Sequence, residues 1–152
     1  MILSQIELFM PEQKPSSEQK AAETSLSPTI TKPNVSRSTF YNGDCLIEMD
    51  KIADKSVDLI LCDLPYGTTA CKWDVIIPFE QLWMQYERVI KDNGAIVLFG
   101  SEPFSSILRT SKLKWYKYDW IWEKNNAGNF QLVNYQPLKI HETISLVSCK
   151  NI

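Results

Sequence analysis

Asp63-Leu64-Pro65-Tyr66-Gly67 brings together a carboxylate, a proline, an aromatic ring and a glycine. The acid follows the apolar run Val57–Cys62, so it emerges from the end of a buried strand. Pro65 fixes the turn, and Gly67 lets the chain leave at an angle that other residues resist. A carboxylate and backbone carbonyls accept hydrogen bonds, while the face of a ring stacks on something flat. The guest that matches both is a planar heterocycle carrying an exocyclic amine.

The surrounding sequence must position those five residues. Thr39-Phe40-Tyr41 is expected as a short strand, and Asn42-Gly43-Asp44 as a turn whose Asp44 caps a brief helix through Leu46, Met49 and Ile52. Phe79, Leu82, Trp83, Tyr86, Val89 and Ile90 recur at helical spacing, with Asp92-Asn93-Gly94 as the stop. Ala95–Phe99 is expected as a second buried strand. A further helix starts near Ser101, with Pro103 in its first turn, and carries Phe104, Ile107 and Leu108. Tyr118–Trp122 and Thr143–Val147 are expected as two more strands, with one of Trp120 and Trp122 in the core. Strands alternating with helices predict an α/β fold with a doubly wound sheet, in which ligands collect at the carboxyl ends of strands.

The stretch Asp63-Leu64-Pro65-Tyr66 resembles the catalytic motif of the adenine-N6 and cytosine-N4 DNA amino-methyltransferases, Asp/Asn/Ser-Pro-Pro-Tyr/Phe/Trp. Similar patches follow the same order: Tyr41–Leu46, Ser56–Ile60, Trp73-Asp74, Trp120–Asn125 and His141-Glu142. The resemblance implies a Rossmann-like S-adenosylmethionine-dependent methyltransferase fold acting on double-stranded DNA. It implies a target base flipped from the duplex and stacked on Tyr66. Asp63 and the Leu64 carbonyl would accept hydrogen bonds from the amine, turning its lone pair toward the cofactor's methyl group. Catalytic roles thus fall on Asp63, Leu64, Pro65 and Tyr66, and cofactor contacts on Asp44 and Asp63. Leu64 departs from the pattern, which has proline there, but only its backbone carbonyl is used. Each residue also has a purely structural alternative: Asp63 ending a strand, Tyr66 packing at a rim, Asp44 capping a helix, Phe130 and His141-Glu142 simply packing.

Bulk composition narrows the alternatives. The formal net charge of −2 lacks the basic surplus of most dedicated nucleic-acid binders, so a grip on DNA must come from a local patch, another segment or a partner. The cysteines Cys45, Cys62, Cys71 and Cys149 show no C-x-x-C spacing, and there is one histidine, so no metal site is expected. Cys45 and Cys62 are expected as small buried residues. No secretion signal or apolar run of membrane-spanning length is evident, which predicts a cytoplasmic protein with reduced thiols.

The family's cofactor loop, Phe-x-Gly-x-Gly, has no counterpart: Gly43, Gly67, Gly94, Gly100 and Gly128 include no G-x-G pair. The expectation is therefore an incomplete, truncated or split form that binds S-adenosylmethionine poorly alone and associates with a complementing C-terminal chain. Residues 11–38 are rich in Pro, Ser, Thr, Glu and Lys and are expected as a disordered linker before the partial catalytic domain of residues 39–152. The apolar island within residues 1–10 contains Gln5-Ile6-Glu7-Leu8-Phe9, which resembles the pentapeptide that docks on the bacterial sliding clamp. Its alternative is a strand or turn packing on the domain. Against the catalytic reading stand a non-catalytic DNA- or clamp-binding remnant and a related methyltransferase of RNA or protein amide nitrogen.

Overall fold

The computed structural model describes residues 5–9, as backbone only, and 38–149. The N-terminal island forms strand β1 (Gln5–Phe9), while the expected linker lies largely outside the described residues. Residues 39–41 do not form the expected strand; they are exposed coil, with the Phe40 side chain 92% accessible. A β-propensity tripeptide gains little from extension when no neighbouring strand pairs with it.

Asp44 caps helix α1 (Cys45–Glu48) by accepting the Leu46 N–H at 2.9 Å, and a single 3₁₀ turn, Met49–Lys51, follows. Strand β2 (Val57–Asp63) leads through the motif turn to helix α2 (Phe79–Val89) and then strand β3 (Ile90–Gly100). Helix α3 (Phe104–Ser111) and the long antiparallel strands β4 (Tyr116–Gly128) and β5 (Lys139–Val147) complete the unit.

Asp92-Asn93-Gly94 lies inside β3 and does not stop α2; the helix ends at Val89, and Ile90 is already extended. The ladder between β2 and β3 slips between Val57 and Leu59, and this irregularity absorbs the four residues Lys91–Gly94. Gly94 makes the slip possible, since a Cβ there would lie 2.7 Å from the Ile90 side chain and 3.0 Å from the Asp58 carbonyl oxygen.

The five described strands form one mixed sheet in the order β1-β2-β3-β5-β4, with β2 and β3 parallel and all other neighbours antiparallel. Ladder partners share a face, so Ile60, Cys62, Ile96, Leu98, Ser145 and Val147 point to one side, and all are buried. The described helices pack on that side. The Tyr86 ring of α2 and Cys45 of α1 lie against Cys62, and Ser105 of α3 shares a hydrogen bond of 2.8 Å with Thr143. Burial contributes roughly 1.5–3 kcal/mol for each large apolar side chain in this layer. Leu98→Ala alone would cost roughly 2–5 kcal/mol.

Leu59, Leu61, Ala95, Val97, Phe99, Ile144, Tyr118, Trp120 and Trp122 point the other way, and all are half-buried or exposed. Leu146, opposite Val97 and Tyr118 on this side, is the exception at 4% accessible; otherwise, among the described residues, helices cover the sheet on one face only, and the second helical layer of a doubly wound sheet is not among them. Trp120 and Trp122 correct the expectation that one is core: both are 48% exposed, because alternate strand positions share a face and that face is the bare one.

Candidate functional site

The motif turn sits at the carboxyl end of β2. Asp63 is the last residue of the strand; its register partner across the parallel ladder is Phe99, so its carboxylate leaves from the bare face and is exposed. Leu64 and Pro65 turn inward and are buried, and Leu64 is 4% accessible within the main core. The leucine thus has a reason that sequence alone did not supply: its side chain anchors the turn in the core.

Tyr66 swings back over the strand end. Its hydroxyl donates to Asp63 Oδ1 at 2.7 Å, and its ring stacks on Phe104 of α3 with centroids 5.0 Å apart and planes inclined by 26°. Phe79 of α2 supports Phe104 from a centroid distance of 5.9 Å. Partial burial and the Asp63 carboxylate push the Tyr66 phenol well above its ordinary range, so it stays protonated and acts as a donor. The structure therefore brings together Asp63, Leu64, Pro65 and Tyr66. Asp44 belongs to a separate element, is exposed, and commits one carboxylate oxygen to its helix cap.

Gly67 carries a φ of 67°, a left-handed value that glycine tolerates, and a Cβ there would press on Ile76 at 3.0 Å. Asp74, at the far side of the exposed segment 68–73, is itself buried. Its Oδ1 accepts the Gly67 N–H at 2.8 Å, and its Oδ2 accepts the Thr68 N–H, the Thr69 N–H and the Thr69 hydroxyl at 2.9, 2.7 and 2.7 Å. Burial alone would raise the Asp74 pKa, but the Thr69 hydroxyl and the three backbone donors outweigh it and hold the carboxyl below its ordinary range. Sequence reasoning placed Asp74 only as part of a similar patch. The signal for its role was the pair Thr68-Thr69 between a turn glycine and an acid.

Beyond Phe99 the bare face continues as a polar and aromatic wall. Trp122 meets Phe99 edge-on at 5.9 Å, Lys124 lies 5.4 Å above the Trp122 ring, and Lys124 pairs with Glu142. Glu142 also contributes to the field that keeps Tyr66 protonated. His141 is exposed beside it, and Phe130 is 64% accessible on a 3₁₀ turn away from the core. Chemically, the strand end offers one carboxylate oxygen outside the tyrosine hydrogen bond, main-chain carbonyls and aromatic surface. That set suits a flat, amine-bearing guest.

No helix among the described residues is long and apolar enough to cross a membrane. No family model matches the chain. The chain is similar to the type II methyltransferase M.HinfI of Haemophilus influenzae, at 28% identity over 143 aligned residues that take in 74% of this chain and 39% of the relative. The chain thus spans about two fifths of the length of this curated relative.

Proposed function

We propose that the chain is the catalytic portion of an S-adenosylmethionine-dependent DNA methyltransferase that modifies an exocyclic amine, adenine N6, of a base flipped from double-stranded DNA. One observation carries this reading: an exposed carboxylate at the carboxyl end of a buried parallel strand, with an aromatic ring hydrogen-bonded to it three residues on. Distant similarity to a type II methyltransferase supports it.

In this reading Asp63 and the Leu64 carbonyl accept the two amine hydrogens, and the nitrogen lone pair is aimed away from them. Pro65 and the buried Leu64 side chain keep that acceptor pair fixed, while the Tyr66 ring supports the flat base. When bound, S-adenosylmethionine supplies an electrophilic methyl group. The donor set fits such a cation: Asp63 has an oxygen outside the Tyr66 bond, and Asp44 has one outside its cap. Asp63 and Asp44 would hold the cofactor, which would supply its methyl group to the amine nitrogen held by Asp63 and the Leu64 carbonyl, with the surplus amine proton passing to solvent.

The glycine-rich cofactor turn is supplied, in this proposal, by a complementing C-terminal chain. Gln5–Phe9 is proposed to dock on the bacterial sliding clamp in the cytoplasm. Since the same residues run antiparallel to Leu59–Asp63, docking would withdraw them from the sheet edge. The test is Asp63→Ala in the reconstituted enzyme: methyl transfer to duplex DNA is expected to vanish, with S-adenosylmethionine affinity by calorimetry unchanged. Near-native transfer would remove Asp63 from the chemistry.

A further inference from the structure

Asp74 is a buried carboxylate whose hydrogen-bond partners all come from the segment that immediately follows Tyr66. Three successive backbone N–H groups converging on one anion form a concave anion-binding nest. Here the anion is part of the same chain, so the nest is permanently filled. We propose that Asp74 is a positioning residue: by filling the nest it fixes the left-handed turn at Gly67 and so sets where the Tyr66 ring and the Leu64 carbonyl stand relative to Asp63.

Several features agree with this assignment. The segment 68–73 is exposed throughout, so apolar burial does not hold it in shape. Most of the hydrogen bonds that shape it end on the carboxylate at its neck, with the Asp74 N–H on the Cys71 carbonyl and the Cys71 N–H on the Thr69 hydroxyl beside them. Hydrogen bonds to an ionised acceptor are roughly twice as strong as neutral ones, which suits a single side chain organising an exposed loop. Both oxygens are used, each by its own donors. An amide at position 74 would therefore present its NH2 group to one set of donors, and the isosteric change Asp74→Asn cannot satisfy the nest. Thr69 serves twice, through its N–H and its hydroxyl. Gly67 cannot be replaced freely, because its φ strains any side chain and a Cβ would also press on the Ile76 side chain at 3.0 Å. Turn, nest and acid thus form one device directly behind the proposed base site.

The inference rests on the methyl-transfer reading only for what the positioned groups do, so the experiment has two arms. In the first, amide hydrogen exchange of the full chain is followed by NMR. Asp74→Asn is expected to accelerate exchange at Gly67, Thr68 and Thr69 by about tenfold or more, leaving Ile96 and Leu98 in β3 within about twofold of native. Thr69→Ser should behave as native, and Thr69→Val should fall between. Unchanged exchange at 67–69, or equal acceleration at Leu98, would overturn the assignment, the latter by making Asp74 a support of the whole domain. In the second arm, the reconstituted enzyme carrying Asp74→Asn should lose kcat while retaining cofactor affinity; an unaltered kcat would overturn the positioning role. Should the native enzyme transfer no methyl group, the methyl-transfer reading fails, and the exchange arm still decides whether Asp74 holds the turn.

Discussion

The Tyr66 hydroxyl donates to Asp63 Oδ1 at 2.7 Å while the Tyr66 ring lies stacked on Phe104. One oxygen of the acceptor is thus already engaged, and one face of the ring is already covered. A guest at this site meets the other oxygen and the other face. Tyr66→Phe keeps the ring and frees the carboxylate. Methyl transfer by the reconstituted enzyme is then expected within about threefold of native, whereas Tyr66→Ala loses a base–aromatic stack worth about 1–3 kcal/mol. That corresponds to a fall of roughly 5- to 150-fold in kcat/KM, read from initial rates of labelled methyl incorporation. If Tyr66→Phe falls as far as Tyr66→Ala, the hydroxyl and not the ring face is what the site needs.

Phe104 can hold Tyr66 only while α3 is held on the sheet, and Arg109 adds ion pairs to the burial of Phe104, Ser105 and Leu108 there. Its guanidinium spans Asp119 of β4, at 2.8 Å, and Glu102 before the helix, while Asp119 also accepts the Ser145 hydroxyl at 2.7 Å. The Ser106 hydroxyl, with Arg109, holds the Glu102 carboxyl below its ordinary range. Arg109→Met leaves a largely buried Asp119 without its cation and is expected to cost about 1–3 kcal/mol. Urea unfolding should show this as a lower midpoint at unchanged slope.

The four thiols should divide into two classes. Burial pushes the Cys62 thiol up to about 12, and Cys45 is buried beside it, whereas Cys71 and Cys149 are exposed. Since the thiolate is the nucleophile, alkylation of the native chain at pH 8 is expected to label Cys71 and Cys149 within minutes and to spare Cys45 and Cys62 until the chain unfolds. Rapid native labelling of Cys62 would show that the packing of Tyr86 on β2 is looser than described.

Asp74 should give acid stability a distinct component. Its carboxyl is held below the ordinary aspartate range, so the folded state favours the ionised form. The stabilisation is fully present above the unfolded value of about 4, and it fades as pH falls through the lower folded value. Asp74→Asn should therefore lower Tm at neutral pH, with the gap to native narrowing as pH drops below about 4. A gap independent of pH would mean that the ionised form is not what the nest requires.

Much of this was legible in the sequence because the relevant signals are local. Val57–Cys62 reads as a strand, Phe79–Val89 as an amphipathic helix and Asp44 as a cap, and each forms, although the strand is covered on one face among the described residues and not on both. The misreadings share a cause. Asp92-Asn93-Gly94 has the composition of a turn, but tertiary pairing with β2 extends it into a bulged strand. Trp120 and Trp122 have the composition of core, but their face has no covering layer among the described residues. At the site, the order Asp-Leu-Pro-Tyr was enough to place Asp63 and Tyr66 together. The stacking on Phe104 and the four donors on Asp74 depend on elements meeting in space, which spacing along the chain does not encode.

A sheet dressed on one side implies a particular pattern of mutational tolerance. Polar replacements at Ile60, Ile96 and Leu98 should be rejected wherever the chain has to fold. Leu59, Leu61 and Val97, one residue out of phase, would accept them if that side meets only water. A saturation scan scored for folded protein in the cell would then show a stripe of period two along β2 and β3. Intolerance at every position instead would mean that the cell supplies a cover, and the scan would outline its footprint residue by residue.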